Sequence, residues 1–176
     1  MQRYNIFNQI HKGLRALLYE TAQQIQHTDF WNVEEAESII KRINEVVRLF
    51  EKHAHSEDNH VFPAIEKYEP SVADAFEQEH VKDHFLGGLL TASISLYKNA
   101  EVITEKAEAG RQIHSAYVKF MAFNLEHMGK EEEIINPLLW RYYTDADLMA
   151  ITQEIIANVP PDYMLLYSKW MMRGLN

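Results

Sequence analysis

The chain of 176 residues contains no cysteine, which excludes disulfides, thiolate zinc sites, thiolate-held iron–sulfur clusters and cysteine nucleophiles together. Any metal it holds must sit on nitrogen and oxygen. Glycine and proline are scarce, at six and five residues, so there are few points at which regular structure has to stop. Long apolar runs are missing too. The least charged stretch, Phe85 to Tyr97, is too short to span a bilayer and is interrupted by two glycines and two serines, so no membrane association is expected. The opening MQRYNIFNQIHKGLR has no apolar core of a signal peptide, and with the absent cysteines this points to the cytoplasm. Basic residues are outnumbered 17 to 26, giving a net charge of −9, and a chain so acidic has no use for a nucleic-acid backbone as partner. What is abundant is histidine, nine residues in all.

Apolar residues recur at steps of three and four over long stretches, and no two-residue alternation is present, so the chain reads as all-α. The spacing predicts a first helix over about Asn5 to Gln26, with Phe7, Ile10, Leu14, Leu17, Leu18 and Ile25 on one side. A second runs from Val33 to near Val61 behind a cap at Asp29 or Asn32. The third is capped by Ser71 and reaches about Glu108, where Ala109-Gly110 marks a break, and the fourth runs from Arg111 to about Ile135. Thr144 to Asp147 forms a capping box for a short fifth helix that ends at Val159-Pro160-Pro161. A last amphipathic segment carries Tyr163, Leu166, Tyr167 and Trp170. The expected architecture is an antiparallel up-down four-helix bundle over residues 1–140, with a C-terminal helical extension over 141–176 packed on the same domain.

A shift of 74 residues superimposes the apolar stripe of the second long helix on that of the fourth. In one, the seam is Ile39, Ile43, Val46, Phe50, His53, Glu57, His60, Ala64; in the other, Ile113, Tyr117, Phe120, Asn124, His127, Glu131, Ile134, Leu138. Each contains a histidine, a glutamate four residues on and a proline six residues beyond it, Pro63 or Pro137. A glutamate on a core-facing seam is costly without a compensating charge, and repeating the cost at matched positions points to a shared cation. His and Glu at i,i+4 lie on one helical face and can reach one ion or two adjacent ions. The third helix adds His80 and His84, again at i,i+4, and the first adds His11 between Phe7 and Leu14. At about 100° per residue, His27, His55 and His114 turn away from the seams, and His60 is placed at the rim.

A ferritin-like iron store is the competing pattern, with Glu57–His60 and Glu77–His80 as Glu-x-x-His tetrads and Glu20 as the lone carboxylate of the first helix. It leaves His53, His84, His127 and the repeat unexplained. A metal-free interaction bundle, with the C-terminal segment docking a partner or forming a homodimer, is a further alternative.

Taken in order on four successive long helices, His11, His53-x-x-x-Glu57, His80-x-x-x-His84 and His127-x-x-x-Glu131 resemble the hemerythrin-like HHE cation-binding domain over about Ile6 to Trp140. The resemblance implies a non-haem di-iron centre in the bundle, oxo- or hydroxo-bridged, with Mn or Zn as substitutes. In that reading His11, His53, His80, His84 and His127 are terminal ligands and Glu57 and Glu131 are bridges. Oxygen-carrying members have an aspartate one residue further along at the last position, where this chain has Glu131 at i+4, as bacterial and regulatory members do. The implied function is binding of O2, NO or a related small ligand for sensing, delivery or iron handling. The alternative is a redox enzyme acting on peroxide or NO, or an iron-centre repair protein without the cysteine-bearing N-terminal domain of that group. Two six-coordinate ions offer about twelve positions, of which seven such residues and an oxygen bridge fill all but roughly one. The vacancy is then expected on one ion only, the other taking three histidines, His80 and His84 among them.

Overall fold

A computed structural model describes residues 3–174, and helices are the only regular structure among them. The four long helices are α1 (Asn8–His27), α2 (Val33–His60), α4 (Pro70–Asn99) and α5 (Ile103–Lys130). A single turn, α3 (Phe62–Glu66), follows α2, and a π-helical turn (Glu131–Ile135) leads from α5 into α6 (Asn136–Tyr142). The chain ends with α7 (Asp145–Ala157) and α8 (Pro161–Arg173). The Leu175 and Asn176 end of the last amphipathic segment lies outside the described residues.

Local chemistry sets most boundaries. The Asn32 side chain accepts from the amides of Glu34 and Glu35 at the start of α2, which also places two carboxylates at the positive end of the helix dipole. Thr144 and Asp147 form the reciprocal capping box of α7. Two boundaries differ from the sequence reading: α4 begins at Pro70 without a side-chain cap, so Ser71 lies inside it, and the chain turns at Ala100 to Val102, not at Ala109-Gly110. No glycine or proline marks that turn; it is closed by Lys106, whose Nζ donates to the Tyr97 carbonyl at the end of α4 at 3.1 Å. Gly110 is instead interior to α5, where a Cβ would fall 2.3 Å from Cγ of Phe30. It is a contact glycine for a ring in the α1–α2 connection.

The long helices form a bundle around one extended apolar cluster that includes Leu14, Ile43, Phe50, Leu90, Tyr117 and Phe120. A second cluster, with Phe7, Val61, Phe62, Phe76, Ile135 and Leu148, fills the other end. α8 lies on α1 and α2: Tyr167 donates to the Leu49 carbonyl at 2.6 Å and the Trp170 indole to Glu45 at 3.0 Å. Gly13 permits this approach, since a Cβ there would stand 2.8 Å from the backbone nitrogen of Met171.

Both helices of the repeat deform just past their glutamates. α2 stops at His60, three residues before Pro63. α5 widens at Glu131, where the amide of Asn136 bonds the Glu131 carbonyl five residues back. Pro137, with no amide hydrogen and a ring that crowds the preceding turn, explains why the α ladder cannot continue unchanged there.

Candidate metal centre

A layer of polar side chains separates the two apolar clusters. His11 comes from the first turn of α1, His53 and Glu57 from the end of α2, His80 from the first half of α4, His127 from the end of α5 and Glu131 from the π turn. All six are buried. Their donor atoms fall into two groups, His11, His53, Glu57 and Glu131, and Glu57, His80, His127 and Glu131, with every atom in a group within 4.8 Å of the others.

The two glutamates belong to both groups, and each divides its oxygens between them. Oε1 of Glu57 is 3.2 Å from Nε2 of His53 and Oε2 is 3.5 Å from Nε2 of His80. Oε2 of Glu131 is 3.4 Å from Nε2 of His11 and Oε1 is 3.2 Å from Nε2 of His127. None of these four oxygens is in hydrogen-bonding geometry, and Nε2 of His127 is equally without a partner. Buried carboxylates left so are expensive, and a cation in either donor group would offset that cost. Nε2 of His11 and Nε2 of His53 are 3.2 Å apart, so both could hold the same cation. The donor set fits the metal that the sequence implies.

The histidines are held from behind. Nδ1 of His11 meets Glu132 at 2.9 Å, Nδ1 of His80 meets Asp58 at 2.7 Å and Nδ1 of His127 meets Glu79 at 2.8 Å. Such carboxylates fix the ring orientation and make the inward nitrogen a better ligand. Phe7 stacks on His11 and Phe62 on His80, with ring centroids 4.9 and 5.1 Å apart.

Without a cation, protons take its place. Burial opposes a charge on His11, but Glu132, Glu57 and Glu131 outweigh it and lift the imidazole to about 9. Burial is likewise overcome at His80, by Asp58 and Glu57, to about 10. For His53 burial wins, aided by the neighbouring histidines, and its pKa falls to about 3. Burial would raise Glu57, yet His53, His11 and His80 hold it well below the carboxylate range. Glu131 is raised by burial and by the charge of Glu57.

His84 is not brought to this layer. Its side chain is 81% exposed, 3.9 Å from Glu51 on the surface. The buried line of α4 is Phe76, His80, Asp83, Gly87, Leu90, so the step after His80 is three residues and Asp83 takes the inward position. The asymmetric arrangement expected with His84 is replaced by two groups of two histidines each. Asp83, pushed up by burial, is bonded to Asn124 at 2.6 Å. His60 is half-buried and His27 and His55 are exposed; His114 pairs with Gln26 at 3.2 Å, and none of these four is in either donor group.

Asp58, Glu132 and Glu79 went unread in the sequence. Asp58 and Glu132 extend the repeat by one residue, each following its glutamate, and each reaches a histidine of a different helix. Phe7-x-x-x-His11 and Phe76-x-x-x-His80 repeat as well. Glu79 has no such signal, because the residue matching it before His11 is Ile10.

The family description hemerythrin HHE cation binding domain matches residues 3–139. Among curated proteins the chain is similar to F-box/LRR-repeat protein 5 of Mus musculus, 20% identical over 153 residues that make up 87% of this chain and 21% of that protein. The same protein of Xenopus tropicalis is 22% identical over 87% of the chain and 22% of its own length, and that of Danio rerio 22% identical over 86% and 22%. The chain spans about a fifth of the length of these curated relatives. No solved structure matches it.

Proposed function

The chain belongs to the hemerythrin HHE cation-binding domain family, and from that premise we propose that it is a di-iron protein whose centre binds a small ligand, O2 or NO. We read the bundle as antiparallel up-down, because the donors come from the starts of α1 and α4 and the ends of α2 and α5. The metal ligands in this reading are His11, His53, Glu57, His80, His127 and Glu131, with both glutamates bridging. The observation that carries it is the four buried carboxylate oxygens without a hydrogen bond, split between two pairs of imidazoles.

Imidazole and carboxylate together suit iron, and manganese or zinc can occupy the same set. Iron there would supply reversible binding of a diatomic ligand. The residues of the chain do the rest: Asp58, Glu79 and Glu132 keep Nδ1 of three histidines occupied so that Nε2 is offered inward, and the apolar clusters on either side keep bulk water out. Six residues fill about eight of twelve positions and an oxygen bridge two more, which leaves about one open position per ion. A closed structural metal would have none.

The test is an optical titration of the iron-loaded protein with azide in its oxidised form and with NO in its reduced form. A new charge-transfer or nitrosyl band supports the reading. A spectrum indifferent to azide, NO and O2 alike would mean a closed, structural centre.

A further inference from the structure

The two halves of the centre are related by the repeat, but their surroundings are not. On the His127 side, Glu79 bonds Nδ1 and is itself paired with Lys130 at 2.9 Å. The matching position on the other side is Ile10, and among the described residues the carboxylate paired with His53 is Glu57, on its inward Nε2. On that side a cavity of about 460 Å³ is lined by Ile10, His53 and Glu57 among others. Its walls are the segment leading into α1, the end of α2, and α7 and α8; they include Ile6, Ile10, Val61, Ile155, Met164 and Met171. The outer wall therefore lies beyond residues 3–139, in helices outside the family match. A larger groove of about 780 Å³, between the far halves of α1 and α2 and lined by Glu20, Gln24, Lys41 and Arg42, does not reach these donors.

Asn8 and Gln9 in the cavity walls are exposed and neutral, and the hydroxyl and charged groups there outside the metal layer are already committed. Ser56 donates to the Lys52 carbonyl, Tyr167 to the Leu49 carbonyl, and Tyr4 to Thr152, whose hydroxyl donates to the Leu148 carbonyl. Arg3 is spent on Asp145 and on the carbonyls of Trp140 and Tyr143. Asn5 accepts from the amides of Phe7 and Asn8. A charged occupant would lose its hydration and find no free counter-charge outside the metal layer, whereas an apolar one loses nothing. The volume is in the range of sites that enclose drug-sized molecules, far above the roughly 30 Å³ share of one water, so a diatomic ligand would leave most of it empty.

We propose that this cavity binds a neutral, apolar organic molecule, held by α7 and α8 against the His53–Glu57 side of the metal layer. The site stands on the cavity and its walls, independently of whether the centre carries iron. Binding there places the occupant beside one half of the centre only.

The probe is N-phenyl-1-naphthylamine, neutral and fluorescent in apolar surroundings, titrated into the protein as isolated and again after iron loading. Saturable binding of one probe per chain is expected. Methyl resonances of Met164 and Met171 should shift in the protein as isolated, while that of exposed Met149 stays in place. Met164→Trp, which fills the cavity, should weaken binding about tenfold or more, whereas Leu165→Trp on the exposed face of α8 should not. Should Met164→Trp fail to fold, the methyl shifts decide alone. Equal binding of an anionic anilinonaphthalene sulfonate, unsaturable binding, or shifts confined to residues outside the cavity would overturn the proposal. Its failure leaves the iron count untouched, so the two readings fail separately.

Discussion

Glu57 and Glu131, 74 residues apart in the chain, face each other across the bundle interior with their oxygens within 4.8 Å and no hydrogen bond on either carboxylate. Two such groups repel unless something positive lies between them. His11 and His80, both held above the ordinary imidazole range by the carboxylates around them, supply that charge as protons.

Alanine at His53 or at His127 should remove metal, because each provides half of the imidazole ligands of one donor group. Alanine at exposed His84 should leave the metal content unchanged. Elemental analysis of the three purified variants checks this; metal loss in His84→Ala would mean that α4 turns differently from the packing described.

The carboxylates behind the imidazoles should tune the centre without holding it. Asp58→Asn, Glu79→Gln and Glu132→Gln are each expected to weaken metal binding by roughly 10–100-fold, measured by competition with a chelator. Unchanged affinity in all three would assign these contacts to the surface alone.

Metal uptake should release protons. His11 and His80 lie at about 9 and about 10 without metal, so both are protonated at neutral pH and must lose that proton to coordinate. About one to two protons per chain should appear when Fe(II) is added anaerobically in weak buffer, and metal should be lost as the pH falls toward about 5. The metal-free protein carries the opposite signature. Folded pKa values above the ordinary 6.5 give stability that is complete below that value and is lost as pH rises through 9 to 10. Its melting temperature should drop from pH 7 to pH 10; a flat profile would contradict the proton-for-metal exchange.

Gly13→Ala and Gly110→Ala should both destabilise the fold, by about 1–3 kcal/mol each from overpacking. Neither contact yields cheaply: Gly13 faces the backbone of α8, and Gly110 faces Cβ and Cγ of Phe30, which rotation of the ring does not clear. Urea denaturation should show both variants less stable than the parent; an unchanged midpoint for either would contradict the close approach.

Much of this centre was legible because a bundle seam alternates steps of four and three, which fixes His53, Glu57, His127 and Glu131 together. The same alternation applied to α4 would have chosen Asp83, Gly87 and Leu90 and turned His84 outward; reading the i,i+4 pair as a motif overrode it. Asp58 and Glu132 sit one residue beyond the repeat, off the apolar seam, so periodicity alone does not mark them. The turn at Ala100 to Val102 has no breaker residue, and the role of Gly110 depends on Phe30, 80 residues earlier, so a local signal misplaces the break. Nor could the cavity be read from sequence, since it exists only where α7 and α8 close over α1 and α2.

Two ions sharing the carboxylates of Glu57 and Glu131 is the reading proposed for the centre, and it fixes the metal content. Iron per chain, measured by elemental analysis after anaerobic Fe(II) loading and removal of unbound metal, should be close to two. A value near one, or no retained iron, would overturn the dinuclear reading.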